Sequence, residues 1–446
     1  MSVMMQAFYW DCPQAENKVH GWWRHVEDLI PQLRASGVCA LWLPPVHKAA
    51  NLSGPSMGYD PYDYFDLGEF NQRGAIPTLF GTRNELKALI DSAHAQDMQV
   101  YADMVLNHNS GGDAQEDNPF DPAFNGRWTK FSPASKRFPR DWQHFHPSRH
   151  ETTDGMTFGD MPDLCHRHPH VYSNLMDLAI WLVEEIGFDG FRYDFVKGYG
   201  TWLIKSIQEY RYRRDGREIR PYGIAENWSG EREISDWLAD ANAWSDNPVD
   251  AFDFPLRYAL KDLCDSFGYD MMNLCGGNKL YCARPESAVT FVDNHDFRGG
   301  DTPEIVNDKL LAYSFILTHE GYPCVYWKDY FNYGLALSGT PNGIDALMGV
   351  HNAFAGGSTR HHHVDHSLYV MQRTGWDDKP GLVYLLNNDN HWRGHEVSTG
   401  MGPRRWRTAA WWSARDDGRP YDQQSDADGK GVFFAPPRGY AVYVPE

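Results

Sequence analysis

The chain has 446 residues, 42% of them hydrophobic, which at roughly 150 residues per domain suggests two or three domains. Its 60 acidic against 41 basic residues give a formal net charge of −19. This balance argues against nucleic acid and against an anionic membrane surface as partners, because both attract positively charged surfaces. No apolar run approaches the ~18 residues that suggest a membrane span.

The first ten residues and the seven cysteines bear on the compartment. The start of the chain has neither a basic region nor a separate apolar stretch, so no signal peptide is predicted. The cysteines are odd in number and form no CxxC pair, which disfavours a disulfide scaffold and a structural zinc site. We expect a cytoplasmic protein as the sequence stands, or an extracellular one if a leader has been removed.

Short β-rich runs alternate with amphipathic stretches from the N-terminus onwards. Residues 4–10 and 38–43 are the first two strand candidates, and residues 99–106 are the third. Thr82 and Glu85 form a capping-box pattern at the start of the second helix. The first helix carries apolar residues at helical spacing, namely Val26, Leu29, Ile30 and Leu33.

Residues 109–169 interrupt this rhythm. They are rich in Gly, Pro, Asp, His and aromatic residues, and a long irregular stretch inside a domain indicates a functional insertion. The alternation then resumes, with strands predicted at 190–194, 222–226, 251–254, 288–293 and 324–327. Helices are predicted around 175–182, 200–214, 231–240, 256–267, 307–318 and 343–355.

The predicted strands and helices form eight strand–helix units, which is the number that closes a parallel barrel. The end of the chain changes to strands at 367–373, 381–386, 406–412 and 431–444. We therefore predict an α/β fold, a (β/α)8 TIM barrel with an irregular domain B inserted after strand 3 and a C-terminal antiparallel β-sandwich. The predicted bounds are 1–108 and 170–358 for the barrel (domain A), 109–169 for domain B and 359–446 for domain C.

Acidic residues lie at the predicted C-terminal ends of several strands, where a barrel builds its active site. They are Asp103, Asp194, Glu226 and Asp296. Glycoside hydrolysis needs such convergence, because one carboxylate attacks the anomeric carbon and another carboxyl protonates the leaving oxygen. Each acid alone is more simply explained as a helix cap or an ion-pair partner, but four in register weaken that explanation.

Two local patterns fit this chemistry. Arg192 and Asp194 project to the same face of a strand, and a guanidinium favours the ionised carboxylate that a nucleophile needs. Glu226 lies next to Asn227 and Trp228, surroundings that we expect to desolvate it and raise its pKa towards that of a general acid.

Five ordered motifs resemble those of the α-amylase family of glycoside hydrolases, and the resemblance covers nearly the whole chain. They are DMVLNH at 103–108, MPDL at 161–164, GFRYDFVKG at 190–198, IAENW at 224–228 and FVDNHD at 291–296. The resemblance implies that Asp194 is the nucleophile, Glu226 the general acid/base and Asp296 the transition-state stabiliser of a retaining double displacement. No organic cofactor is implied.

The same resemblance implies substrate and calcium ligands. Arg192 would orient Asp194, and Lys197 would line a subsite on the leaving-group side. His108 and His295 would bind the sugar in subsite −1, and Tyr59 would stack on its ring. Structural Ca²⁺ would be bound by Asn107, Asp163 and the carbonyl of Gly198, with Asp154 a candidate whose spacing does not map cleanly. The chain departs from the family pattern at Cys165, where a second acid is common, and at Phe195, where Ala is common.

The predicted activity is endo-acting hydrolysis of α-1,4-glucosidic bonds in starch, glycogen and maltooligosaccharides by a monomer. An α-1,4-glucanotransferase, an α-1,6-specific hydrolase and a non-catalytic sugar-binding relative are the alternatives. The run 361–363 with His366 reads either as a metal cluster or as a solvated stretch. Trp406, Trp411 and Trp412 read either as a starch-binding surface or as the core of the β domain.

Overall fold

Eight parallel strands close into a barrel at the centre of the protein. The computed structural model describes residues 3–52, 56–376 and 378–446, so residues 1–2 and 53–55 of the predicted domain A and residue 377 of the predicted domain C lie outside the described part. The strands are β1 Val3–Gln6, β2 Val38–Trp42, β3 Gln99–Met104, β4 Gly190–Tyr193, β5 Tyr222–Ala225, β6 Asp250–Phe252, β7 Ala288–Phe291 and β8 Tyr322–Tyr326. Each pairs in parallel with its neighbours in sequence, and β1 also pairs with β8. The predicted barrel is confirmed.

One main helix follows each strand. The helices are α1 Trp22–Ser36, α2 Arg83–His94, α3 Pro169–Trp181, α4 Thr201–Glu209, α5 Glu231–Ala241, α6 Phe254–Asp265, α7 Lys309–Ile316 and α8 Ile344–Phe354. The predicted capping box starts α2, since Glu85 N–H donates to the Thr82 hydroxyl and Thr82 N–H donates 2.8 Å to Glu85 Oε2. Its buried face packs on the barrel.

Among the described residues, no helix has both the length and the apolar character to cross a membrane.

Two predicted elements are wrong in their extent. The helix predicted over 200–214 ends at Glu209, and the chain turns into a hairpin of Tyr212–Arg214 and Arg217–Ile219. An Asp-Gly pair makes this turn with both residues at positive φ, as two-residue hairpin loops require. The strand predicted over 431–444 is two strands, because consecutive prolines at 436–437 cannot donate ladder hydrogen bonds.

The insertion after β3 is irregular, as predicted. It contains one short hairpin, Ala114–Glu116 with Arg127–Lys130. The buried guanidinium of Arg140 lies over aromatic rings and donates 2.6 Å to the carbonyl of Tyr62, outside the insertion. The insertion is therefore tied to the barrel by a side chain as well as by backbone bonds, among them Leu164 N–H to Asn107 O at 2.9 Å.

The C-terminal region forms two antiparallel sheets. Its strands are β9 Thr359–Val364, β10 Leu368–Arg373, β11 Leu382–Asn387, β12 Arg393–Ser398, β13 Arg404–Ser413, β14 Gln423–Ser425, β15 Lys430–Ala435 and β16 Gly439–Pro445. Six form one sheet, and β12 pairs with β15 in the other. Alternate residues of β10 face opposite sides: Leu368 and Val370 join the core between the sheets, whereas Tyr369 and Met371 join the barrel core. The antiparallel β region is confirmed, and the domain bounds stay a prediction.

Candidate active site

A cavity of about 830 Å³ opens at the carboxyl ends of the barrel strands. Its lining includes all three acids to which the sequence assigns catalysis: Asp194, Glu226 and Asp296. Three of the predicted substrate ligands, Tyr59, Lys197 and His295, line the same cavity. The fold thus brings together residues that are far apart in the chain.

One buried guanidinium connects the carboxyl groups. Arg192 Nη1 donates 2.6 Å to Asp194 Oδ1 and 2.9 Å to Asp103 Oδ1, and its Nη2 lies 2.9 Å from Glu226 Oε1. Arg192 points inward from β4, and Asp194 follows two residues later on the same face. Because a single guanidinium contacts both groups, the carboxyls of Asp194 and Glu226 lie side by side.

Burial dominates the proton affinity of these acids. Burial raises the pKa of Glu226 to about 8, against the opposing charge of Arg192. Burial likewise raises the pKa of Asp194 to about 7; Arg192 opposes this rise and the carboxylate of Asp103 adds to it. The guanidinium therefore favours ionised Asp194, as expected from the sequence, but desolvation outweighs it.

Phe195, directly after Asp194, takes the left-handed conformation with φ 44° and ψ 51°. A bulky residue reaches this region only when the surrounding structure imposes it. In this conformation its backbone N–H donates 2.8 Å to Glu226 Oε2. Glu226 is consequently held at both oxygens, by Arg192 on one and by Phe195 on the other.

Aromatic rings form one wall of the cavity. The ring of His295 is nearly parallel to those of Tyr59 and Trp10, at centroid distances of 5.0 and 6.3 Å. Gln6 Nε2 lies 2.9 Å from His295 Nδ1, and His108 Nε2 lies 3.0 Å from the carbonyl of Tyr59. Flat apolar ring faces beside polar groups suit the faces and hydroxyls of a pyranose.

The remaining predicted ligands lie at the edge of this arrangement. Asp296 Oδ2 is 3.4 Å from His295 Nε2, and its side chain keeps 24% of its accessible surface. Lys197 Nζ donates 2.9 Å to the carbonyl of Trp228, which also lines the cavity. Asp296 is thus the most open of the three acids and faces the space a substrate would enter.

Asp103 and Trp10 are among the residues of this network that carried no assignment from the sequence. Asp103 accepts hydrogen bonds from the Tyr59 hydroxyl at 2.8 Å and from Trp42 Nε1 at 3.0 Å, besides its contact with Arg192. Its place at the end of β3 was a signal that it belonged to the site. Trp10 had no such signal, because only the fold stacks it beside His295.

The predicted calcium ligands also meet. The terminal amide atom of Asn107 lies 2.9 Å from the carbonyl oxygen of Gly198 and 3.3 Å from Asp163 Oδ1. If this atom is the amide oxygen, three oxygens face one another, as they do around a hard cation. If it is the amide nitrogen, it donates hydrogen bonds to the other two oxygens. A Cβ at Gly198 would overlap the amide oxygen and lie 2.5 Å from Asn107 Cγ, so only glycine leaves this space free. The residues present fit a calcium ion.

Asp154 lies beside Asp163 of this set, and its role as a calcium ligand stays a prediction. Its Oδ2 is 2.7 Å from His166 Nδ1, and its Oδ1 is 3.5 Å from His146 Nδ1. His146 in turn reaches the second carboxylate oxygen of Asp163 at 2.9 Å.

Burial and hydrogen-bond partners bear on the other two ambiguous features. The histidines at 361–363 lie in β9 and have separate partners, namely the Tyr369 hydroxyl, Gln372 and Asp365. They do not converge on one point. Trp406 is fully buried in the core between the two sheets, and Trp411 packs against that core.

Comparison with known proteins identifies the family to which this chain belongs. The family described as "Alpha amylase, catalytic domain" matches residues 12–221. An α-amylase of Geobacillus stearothermophilus is 33% identical over 85% of this chain and 76% of its own length. A glucan 1,4-α-maltohexaosidase of Bacillus sp. (strain 707) is 29% identical over 99% of this chain and 92% of its own. A solved three-domain cyclomaltodextrin glucanotransferase superposes with a TM-score of 0.69 at 18% identity, covering 100% of this chain and 99% of its own, which supports the fold. The chain belongs to the α-amylase family of glycoside hydrolases, as its five motifs predict.

Proposed function

We propose that the protein hydrolyses internal α-1,4-glucosidic bonds of starch, glycogen and maltooligosaccharides with retention of the anomeric configuration. The observation that carries this proposal is the contact of Arg192 with both Asp194 and Glu226 at the floor of an open cavity. Retaining enzymes hold their two carboxyls ~5 Å apart, close enough for one to act as nucleophile.

The proposed mechanism uses one protonated and one ionised carboxyl. Asp194 attacks the anomeric carbon while Glu226 gives its proton to the glycosidic oxygen, which releases the shortened glucan. Water then attacks the glycosyl–Asp194 ester as Glu226 takes the water's proton back. Asp296, His108 and His295 would bind the hydroxyls of the reacting sugar, and Tyr59 would stack on its ring.

A product time course on soluble starch and maltoheptaose, followed by proton NMR, tests this activity. We expect α-anomers first, together with a spread of shorter oligosaccharides. Asp194→Asn should lower kcat by several orders of magnitude, on the order of 10⁴-fold or more, while maltooligosaccharide binding is kept. Asp236→Asn is the matched control, because this side chain is 77% exposed on α5 and should leave kcat unchanged. Retained turnover in Asp194→Asn would disprove its assignment as nucleophile.

An α-1,4-glucanotransferase is the second candidate. The three-domain glucanotransferase that superposes on this chain shares its fold. The two activities share the glycosyl-enzyme and differ in whether a sugar or water accepts the glycosyl group. Products longer than maltoheptaose in the same time course would identify a transferase. If neither substrate is turned over, glucans with α-1,6 bonds are the next substrates to test.

We also propose that Asn107, Asp163 and the carbonyl of Gly198 bind a structural calcium ion. The support is the oxygen-lined space kept open by Gly198. A ligand bound only by the folded protein stabilises it, by about 2.7 kcal/mol when present at about 100 times its Kd. Chelation should therefore lower Tm and added Ca²⁺ should restore it. An unchanged Tm would exclude this site.

A reducing compartment such as the cytoplasm is proposed from the cysteines. All seven are free thiols in the structure, and four of them are buried. The monomeric state expected from the sequence stays a prediction, which sedimentation equilibrium would test.

A further inference from the structure

The carboxylate of Asp296 is held differently from those of the other two acids in the cavity. Among the described residues, Arg192 forms ion pairs with Asp194 and Glu226 but not with Asp296. Asp296 lies 3.4 Å from the ring of His295, its neighbour in the chain, and its side chain keeps 24% of its accessible surface. The position of this carboxylate at a substrate therefore depends on the backbone segment that carries it.

That segment joins β7 to α7, and we name residues 293–305 the Asp296 loop. Residues 298–301 at its tip are exposed. At its base, the backbone N–H of Ile305 donates 2.9 Å to Asp293 Oδ2, which joins the last residue of the loop to the first. The loop is thus closed at its base, whereas its tip lies in solvent.

A buried arginine from α6 contacts this loop at three places. Arg257 Nη2 donates to Asp293 Oδ1 and, at 2.8 Å, to the carbonyl of Pro303. The guanidinium carbon lies 3.4 Å from the centroid of the Phe297 ring, and Phe297 follows Asp296 directly. Arg257 Nε and Nη1 are buried without a hydrogen-bond partner, a situation that stacking on an aromatic face makes tolerable for a planar guanidinium. One side chain therefore holds the loop before Asp296, directly after it and near its end.

The charges around this arginine balance. Lys309 Nζ lies 3.0 Å from Asp293 Oδ2 and also contacts Asp329, so two cations meet two carboxylates. None of the four side chains is more than 5% exposed. Well-packed apolar side chains often stabilise a fold as well as a buried ion pair does, so stability alone is a weak explanation for the cluster.

We propose that Arg257 is a positioning residue for the glycosidic reaction, which fixes the Asp296 loop so that the Asp296 carboxylate meets the reacting sugar in the transition state. This inference rests on the proposed activity. Arg257 is fully buried, so it acts through Asp293 and Phe297 and not on the substrate. A displacement of a catalytic group by about 1 Å costs on the order of 10²-fold in rate. Loss of Arg257 should therefore lower kcat much more than it raises KM.

Steady-state kinetics on maltoheptaose test the proposal. Arg257→Lys keeps the positive charge but loses the planar group that reaches Asp293, Pro303 and Phe297 at once. We expect kcat to fall ~10–100-fold while KM stays within ~3-fold of that of the unchanged protein. Arg257→Met combined with Asp293→Asn removes one charge of each sign, so the remaining cluster stays neutral and the variant keeps its fold. It should lower kcat at least as much as Arg257→Lys does.

Arg214→Lys is the matched control. Arg214 pairs with Asp189 at 2.9 Å, and Asp189 directly precedes β4, at the end of the barrel opposite the cavity. Both side chains are less than 20% exposed, so this arginine is also a partly buried ion-pair partner. Its replacement should leave kcat and KM unchanged, and circular dichroism verifies the fold of every variant.

A second readout separates positioning from general support of the fold. In the Asp296→Asn background the carboxylate that Arg257 positions is absent, so Arg257→Lys should have little further effect on kcat. α-Maltosyl fluoride, which has an activated leaving group, keeps these low rates measurable.

Three results would overturn the proposal: an unchanged kcat in both Arg257 variants, an effect on KM alone, or full additivity of Arg257→Lys with Asp296→Asn. They differ from a failure of the proposed activity, in which the unchanged protein does not hydrolyse maltoheptaose. Retained kcat in Asp296→Asn alone would remove the role of Asp296 and, with it, the positioning role of Arg257.

Discussion

Burial of the carboxyls beside Arg192 decides which catalytic carboxyl is protonated. Three carboxyl groups surround one guanidinium, so full ionisation would leave a buried excess of negative charge. Burial raises the pKa of Asp103 to about 6, of Asp194 to about 7 and of Glu226 to about 8. Glu226 therefore keeps a proton to higher pH than the other two, and Asp194 loses its proton first of the reacting pair. This order matches the roles of acid and nucleophile.

A bell-shaped pH dependence of kcat/KM on maltoheptaose follows. Activity needs Asp194 ionised, so it falls as pH drops below about 7, and it needs Glu226 protonated, so it falls as pH rises above about 8. Asp103→Asn removes a negative neighbour that raises the pKa of Asp194. The acidic limb should then move to lower pH, whereas Asp236→Asn should leave it in place. A shift to higher pH in Asp103→Asn would contradict this account.

At the scale of elements, the site depends on the close packing of β4 against its neighbours. Gly190 starts this strand, between β3 and β5, and its position sets where Arg192 and Asp194 emerge. A Cβ at 190 would overlap the carbonyl oxygen of Tyr222 and lie 2.9 Å from Cδ1 of Tyr101. Glycine is needed here for close approach of two backbones.

Gly190→Ala should accordingly destabilise the protein by about 1–3 kcal/mol, because neighbouring strands must move apart. Gly349→Ala is the matched substitution, in the exposed face of α8, where a Cβ meets no atom within 4 Å. It should stabilise by up to about 1 kcal/mol through helix propensity. Urea unfolding measures both, and equal effects of the two changes would refute the packing argument.

Across the whole molecule, one arginine fastens the β region to the barrel. Arg438, between β15 and β16, is 3% exposed and takes a φ of 43°. Its guanidinium donates 2.6 Å to the carbonyl of Cys264 in α6 and 2.7 Å to Asp308 before α7, and it also contacts Asn388. The contacts with Cys264 and Asp308 connect segments more than a hundred residues apart.

Arg438→Met should lower the free energy of unfolding by about 3 kcal/mol, since it leaves a carboxylate and a carbonyl without their donor. Arg407→Met is the comparison, because Arg407 is 43% exposed and pairs with Glu446 at 3.4 Å only at the surface. A change within about 0.5 kcal/mol is expected there. Thermal unfolding would reveal the difference, and equal Tm values for both variants would disprove the role of Arg438.

The sequence by itself determined the order of elements and the chemical identity of the acids. The eight strands are apolar runs buried on both sides, and Thr82 with Glu85 marks a helix start, so local patterns were enough. Local patterns also led to one error: the helix predicted over 200–214 included Tyr212–Arg214, which is the first strand of a hairpin.

Only the tertiary structure decided what depends on contacts between distant residues. The spacing in the sequence placed Arg192 beside Asp194, but only the fold places it beside Asp103 and Glu226. The sequence led us to expect that Arg192 lowers the pKa of Asp194, whereas burial of this carboxyl raises it. The fold also brought Asp154 and His146 to Asp163. The physical reason is that desolvation and charge coupling act through space, so they exist only once the barrel has closed and the insertion has packed onto it.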